Sequence, residues 1–287
     1  MLLVTGYRGF IGTKLCEELK KQNIDFVGYD LIDGNDIRNK CQLDRFFEEN
    51  QITRIIHLAA LAGVRRGELY PEEYISTNIL GTLNVADLAE KHKCERLVFF
   101  SSSSVYGKGS PPITENAEKI PRSLYGITKA TGENIIKKMT VVNGIIVRPF
   151  TVYGENGRRD EVVYKWLNQI KNNIAISVYG DGTSERGYVY IDDLVGATIK
   201  LLNIEMKGGT IDFNLGGNEV IKLSQIIEAF LQHFPKMKLP EYLKMPACDI
   251  EKNYADCSKA EILLGFSPKP NFIKNLYNIL KIEKKNL

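Results

Sequence analysis

Tyr125-Gly-Ile-Thr-Lys129 sets a phenol and an ammonium group four residues apart. On a helix this spacing brings both to one face, where the lysine's charge can stabilise a phenolate. Tyrosine has a pKa of about 10 and serves as a base near neutral pH only with such a cation beside it. Alone, the pair reads equally well as two exposed side chains. Two further clusters give it a setting. Ser101 to Ser104 close an apolar run and lead into Val105-Tyr106-Gly107, placing hydroxyls at the end of a strand, although such serines also serve in plain turns. Gly6-Tyr-Arg-Gly9-Phe10-Ile11-Gly12 follows the first apolar run directly and opens a helical pattern. Gly6 permits a tight turn, Gly9 lets backbone amides approach a pyrophosphate at the helix N-terminus, and Gly12 lets helix and strand pack closely. Asp30 ends the second apolar run, where a carboxylate can accept both ribose hydroxyls of a dinucleotide and would repel a 2′-phosphate. This favours NAD over NADP. Asp36-Ile37-Arg38 follows closely and leaves only a short adenine-side loop. The three clusters together favour a redox site over the bland reading of each.

The elements that must position these residues follow from periodicity. Short apolar runs over Leu2–Thr5, Asp25–Tyr29, Arg54–Leu58, Arg96–Ser101 and Gly144–Arg148 alternate with helical patterns over Ile11–Lys21, Gln42–Asn50, Ile75–Lys91 and Ser123–Lys138. In the third helix the apolar positions Ile79, Leu83, Ala86 and Ala89 recur at steps of three and four. The pattern predicts an α/β fold, a Rossmann-type doubly wound parallel sheet, with residues 1–148 as the dinucleotide-binding domain. From residue 149 to 287 the rhythm changes, with glycine-marked loops and returning prolines, and predicts a smaller C-terminal substrate-binding lobe over the carboxyl ends of the strands. Tyr188–Tyr190 and Ile211–Asn214, within 188–214, could be strands that return to the first sheet.

Composition narrows the class. The 287 residues are 44% hydrophobic and 25% charged, with net charge +3, which suits a folded domain and provides no field pointing to nucleic acid or membrane as partner. Cys16, Cys41, Cys94, Cys248 and Cys257 are odd in number and scattered, so neither a disulfide framework nor a zinc site is expected. His57, His92 and His233 make no metal-ligand spacing, and no metal is expected. No basic leader and no run of about 18 apolar residues occurs, so a cytoplasmic protein is expected.

Further motifs run along nearly the whole chain: His57-Leu58-Ala59-Ala60, Asn78 with Gly81-Thr82 and Asn84, Arg148-Pro149, Tyr190-Ile-Asp-Asp193 and Ala255-Asp256-x-Ser258-Lys-Ala260. With them the sequence resembles the extended short-chain dehydrogenases/reductases that modify nucleotide sugars. The resemblance implies Ser102, Tyr125 and Lys129 as catalytic residues. It implies a cofactor site of Gly6, Gly9, Phe10, Ile11, Gly12, Asp30, Asp36, Ile37, Leu58, Ala59, Ala60, Asn78 and Pro149, with Tyr125 and Lys129. Ser102-Ser103-Ser104 stands where the family's dehydratases carry an acidic pair, so dehydration is not expected. Ala60-Leu-Ala-Gly-Val-Arg65, Phe150-Thr151-Val-Tyr-Gly154 and Gly157-Arg158-Arg-Asp160 are similar to UDP-glucuronate 4-epimerases. Serine hydroxyls suit a uronate carboxylate that Asp or Glu would repel. Arg65, Ser102, Ser103, Ser104, Thr151, Arg158, Arg186 and Asp249 are the substrate-binding residues so implied, Arg186 for the diphosphate and Asp249 near the nucleotide ribose. The expected partners are a UDP-sugar and a second copy of the chain, through the helices around Ile79–Leu88 and Ile127–Ile136. Neutral-hexose 4-epimerisation, UDP-glucuronate decarboxylation, reduction of a 4-keto sugar and a non-catalytic dinucleotide sensor remain alternatives. Two departures from the pattern stand out: Arg186-Gly187-Tyr188 lacks the usual acidic residue, and Met245-Pro-Ala-Cys-Asp249 lacks the usual glycine.

Overall fold

The computed structural model describes residues 1–246, 249–269 and 271–284; Cys248 lies outside the described residues. Six parallel strands form one sheet, ordered Phe26–Tyr29, Leu2–Thr5, Arg54–His57, Arg96–Phe100, Asn143–Pro149 and Thr210–Leu215. Alternation within each strand divides the core in two, because successive side chains leave a strand on opposite faces. Leu2, Val4, Val98, Phe100, Ile145 and Val147 face the helices Phe10–Lys21 and Ile191–Leu201. Leu3, Leu97, Phe99 and Ile146 face the helices Lys40–Asn50, Thr82–Lys91 and Leu124–Lys137. Helices on both faces explain why the strands read as unbroken apolar runs.

The first five expected strands sit within a residue of their predicted positions. Ile211–Asn214 does return to this sheet, pairing in parallel with Gly144–Pro149. Tyr188–Tyr190 does not: it lies in a separate sheet, where Glu185–Tyr190 pairs with Thr151–Tyr153, Val220–Lys222 and Lys252–Asn253. The expected helix Ile75–Lys91 is divided by a π turn over Ser76–Gly81, a local widening often found at functional positions. Around the second sheet, Trp166, Phe230, Phe272 and Tyr153 centre a separate aromatic core. Distant in sequence, Asp44, Glu48 and His92 converge within 4.8 Å, and Lys91 supplies a cation to the two carboxylates. Among the described residues no helix is long and apolar enough to cross a membrane.

His57 ties the carboxyl end of the sheet together. Its Nδ1 lies 2.7 Å from Thr5 Oγ1 and its Nε2 3.1 Å from Thr82 Oγ1, and Thr5 Oγ1 also accepts from Ala59 N–H. Complete burial pushes its pKa down to about 3, with Lys129 adding to the effect. Unfolded, the ring takes up a proton below about 6.5 whereas the folded protein resists it to about 3. Stability is therefore full above about 6.5 and falls by about 1.4 kcal/mol per pH unit as pH drops toward 3. His57→Asn should flatten the urea-unfolding midpoint over that window relative to wild type; equal slopes would remove this account.

Candidate active site

The loop after the first strand forms a cradle that side chains would fill. Gly6 has φ +70°, and a Cβ there would meet Ala59 N at 2.6 Å; a Cβ on Gly12 would meet Gly6 O at 2.3 Å. Helix Phe10–Lys21 begins at Gly9 with no side-chain cap and no acidic residue in its first turn. Its leading N–H groups thus face the cradle with their partial positive charge uncompensated, which fits a pyrophosphate. Asp30 holds this cradle from the next strand, its carboxylate accepting from Arg8 N–H at 3.0 Å and Ile32 N–H at 3.1 Å. Asp36 is paired with the Arg38 guanidinium, and Ile37 is buried beside it. Leu58, Ala59 and Ala60 follow the third strand and border Gly6. Pro149 ends the fifth strand at the same edge of the sheet. Asn78, buried in the π turn, accepts from Leu61 N–H and donates to Leu61 O and Thr128 Oγ1. Its amide therefore welds the loop after the third strand to the tyrosine helix. The residues present fit NAD.

Ser123 starts that helix by accepting from Gly126 N–H at 3.1 Å, which sets Tyr125 in the first turn of Leu124–Lys137. Tyr125 is 9% exposed; the Tyr74 ring stands edge-on to it, centroids 6.3 Å apart. Burial raises its pKa, opposed first by the charge of Arg158 and then by the nearby Ser102 hydroxyl. Lys129 is buried one turn on, its Nζ donating to Phe100 O at 2.7 Å and lying 5.1 Å from the centre of the Phe99 ring. Burial pushes Lys129 down to about 7, and Glu133 acts against that shift. The shared helix face is as expected. The Lys129 ammonium group donates to the Phe100 backbone carbonyl, and Arg158 is the first charge that opposes the shift of the phenol.

The serines divide their work. Ser101 Oγ donates to Glu133 Oε1 at 2.6 Å, beneath the site. Ser102 Oγ accepts from Ser104 N–H at 3.1 Å and lies 3.2 Å from Ser104 Oγ, and Ser103 Oγ accepts from Asn253 Nδ2 at 3.0 Å. Arg65 lies 3.9 Å from the centre of the Tyr179 ring and 2.8 Å from Asp249 Oδ2, so these residues meet across 184 positions of sequence. Thr151 and Arg158 line one small cavity of about 20 Å³ with Glu161 and Tyr188. Arg158 is paired there with Asp160, and with Glu161 at 3.8 Å. Arg186 turns its guanidinium to the carbonyls of Glu185, Ile250 and Glu251, and so secures the segment that carries Asp249.

Glu133, Tyr74, Asn253 and Glu161 are neighbours that sequence reasoning missed. Glu133 stands four residues beyond Lys129, so helical spacing could have revealed it. Asn253 and Tyr74 arrive through tertiary packing and left no local signal.

A family model of the NAD dependent epimerase/dehydratase family matches residues 2–216. The UDP-glucuronate 4-epimerase of Thermodesulfobacterium geofontis is 33% identical over 314 residues, covering 99% of this chain and 96% of that protein. A Bacillus subtilis protein named uncharacterized UDP-glucose epimerase YtcB is 33% identical over 310 residues, covering 96% of each. The solved structure of UDP-glucuronic acid 4-epimerase from Bacillus cereus, in complex with UDP-glucuronic acid and NAD, matches with TM-score 0.88 at 29% identity, covering 100% of this chain and 99% of that one. The chain belongs to the NAD-dependent epimerase/dehydratase family.

Proposed function

We propose that this protein inverts C4 of a UDP-sugar, interconverting UDP-glucuronate and UDP-galacturonate, with residues 1–148 holding NAD and 149–287 the nucleotide sugar. The observation that carries the reading is the set of neutral hydroxyls, Ser102 to Ser104, at the strand end beside Tyr125. They offer donors to a carboxylate, and no acid or base stands among them to expel water. The Thermodesulfobacterium geofontis relative and the Bacillus cereus structure are named for the same substrate, while YtcB is named for UDP-glucose.

Gly6, Gly9, Gly12 and Asp30 would hold NAD, which when bound supplies a reversible hydride acceptor for the sugar C4. Tyr125 takes the proton from the 4-hydroxyl, and Ser102 hydrogen-bonds the reacting oxygen and relays the proton. Lys129, as ammonium, lowers the cost of the phenolate. The 4-keto sugar turns within the pocket, so that the hydride would return to the opposite face of C4 while Tyr125 gives the proton back to the 4-oxygen, leaving no net redox change. Such a keto acid loses carbon dioxide when its carboxylate bond aligns with the carbonyl. Ser103 and Ser104 hold the carboxylate out of that alignment, while Arg65, Arg158, Arg186 and Thr151 hold the diphosphate and sugar. A cytoplasmic location agrees with the free thiols of Cys16, Cys41, Cys94 and Cys257.

Proton NMR of the purified protein with UDP-glucuronate should show UDP-galacturonate alone. Release of UDP-xylose would establish decarboxylation instead, and exchange only with UDP-glucose would remove the carboxylate argument. Tyr125→Phe should lower kcat about 100-fold or more with little change in KM. Undiminished turnover would refute the assignment of the base.

The helices Thr82–Lys91 and Leu124–Lys137 pack side by side and expose Leu83 and Ile127 on their outer faces, flanked by Ile75 and Leu80. A homodimer through these helices follows, as two amphipathic faces can close on a two-fold axis. Light scattering at micromolar concentration should report a dimer, and Leu83→Glu combined with Ile127→Glu a monomer. A monomeric wild type would exclude it.

A further inference from the structure

Beneath the catalytic pair runs a buried chain of ionic contacts that the proposed reaction does not itself use. Glu133 stands one helical turn beyond Lys129 and is 1% exposed. Arg148, fully buried, donates to its two oxygens at 2.7 and 2.9 Å, and Ser101 Oγ adds a third contact. The same guanidinium donates to Asp212 Oδ2 at 2.7 Å and to the Tyr106 hydroxyl, which in turn donates to Asn214. Lys259, at 34% side-chain exposure, closes the chain on Asp212 at the protein surface. The tyrosine helix thus contributes Glu133, the fifth strand Arg148, the strand Thr210–Leu215 Asp212 and Asn214, and the helix Ser258–Leu264 Lys259, and the chain ends within a turn of the ammonium group.

We propose that Glu133 is a positioning residue for catalysis: its carboxylate holds Lys129 in the ammonium form, and the chain through Arg148, Asp212 and Lys259 holds Glu133 in place. The reason is electrostatic. Lys129 sits in an apolar setting that favours loss of its proton, with the Phe99 ring beside it and, among the described residues, only the Phe100 carbonyl as hydrogen-bond partner. Glu133 is the group whose charge opposes that loss. Arg148 alone would claim the carboxylate, and Asp212 relieves this by sharing the guanidinium.

Other charges face the chain from each packed element. Lys119 approaches from the loop before the tyrosine helix, near Arg148, Glu133 and Asp212 and near Lys137 of that helix. His57 faces Lys129 from the third strand and is held neutral by burial. None of these places a second carboxylate beside Lys129, so loss of Glu133 is not made good locally.

The proposal rests on Tyr125 and Lys129 being the catalytic pair, and its test separates the two. Phenolate formation is followed by ultraviolet difference titration of the holoenzyme without substrate, each protein against its Tyr125→Phe counterpart, beside a pH profile of kcat. In Glu133→Gln the proton of Lys129 should leave about one pH unit or more lower than in wild type, which moves the pH profile of kcat and reduces the Tyr125 phenolate present near neutral pH. Near neutral pH kcat should fall about tenfold with KM unchanged, because the proton leaves Lys129 earlier and withdraws the charge that stabilises the phenolate. Asp212→Asn should move both in the same direction by a smaller amount, and it tests the chain if Glu133→Gln does not fold. A folded variant with unchanged phenolate formation and pH profile, whatever its thermal stability, would overturn the proposal. Turnover retained in Tyr125→Phe would remove the catalytic reading, while the titration would still decide whether Glu133 governs Lys129.

Discussion

The ion pair of Glu133 with Arg148 is the contact around which the site is organised. It spans the tyrosine helix and the fifth strand, with both partners withdrawn from water. Two buried charges are worth little to stability compared with apolar residues of the same shape, but separating them costs about 3–5 kcal/mol because one is left uncompensated. The helix can therefore neither rotate nor slide without stranding a charge. That fixes the height of Tyr125 and Lys129 above the sheet more firmly than apolar packing would, since hydrophobic contact is non-directional. Ser101, held by the same carboxylate, transmits the constraint to the next residue, Ser102, so hydroxyl and phenol meet at the strand end.

Burial then acts on Tyr125 and Lys129 in opposite senses. It raises the phenol of Tyr125 and lowers the ammonium of Lys129, the second shift opposed by Glu133. Positive charge brought by an oxidised nicotinamide would favour the phenolate, and the base becomes competent once the cofactor is seated.

Much of this was legible in the sequence, for reasons that can be stated residue by residue. Gly6 and Gly12 were readable because their turn needs glycine: a Cβ there would come within 2.6 and 2.3 Å of neighbouring backbone atoms. Tyr125 and Lys129 were readable because helical spacing is local. The return of Ile211–Asn214 could be offered only as a choice, and Tyr188–Tyr190 went to the other sheet, since an apolar run does not say which edge it will join. The contact of Lys129 with the Phe100 carbonyl was invisible, as spacing gives the face of a helix but not the competing acceptor across it. Arg65 and Asp249 were both singled out, yet their contact was not, because 184 residues separate them.

That last contact also bears on how an anionic substrate enters. Each arginine assigned to the substrate already has a partner: Arg65 has Asp249, Arg158 has Asp160 and Glu161, and Arg186 has backbone carbonyls. The Arg65 pair is largely exposed to water, and pairs of that kind contribute about 0–1 kcal/mol. A diphosphate offers more charge and bidentate geometry to the same guanidinium, so exchanging Asp249 for substrate is favourable. Arg158 sits deeper, between two carboxylates, and exchange there costs more. On the proposed assignment a uronate carboxylate would gain more from the serine hydroxyls than from displacing Asp160. Their fixed positions on the strand end would set its angle to the ring. Geometry at the serines, more than charge at the arginines, would then decide whether the keto intermediate keeps its carboxylate.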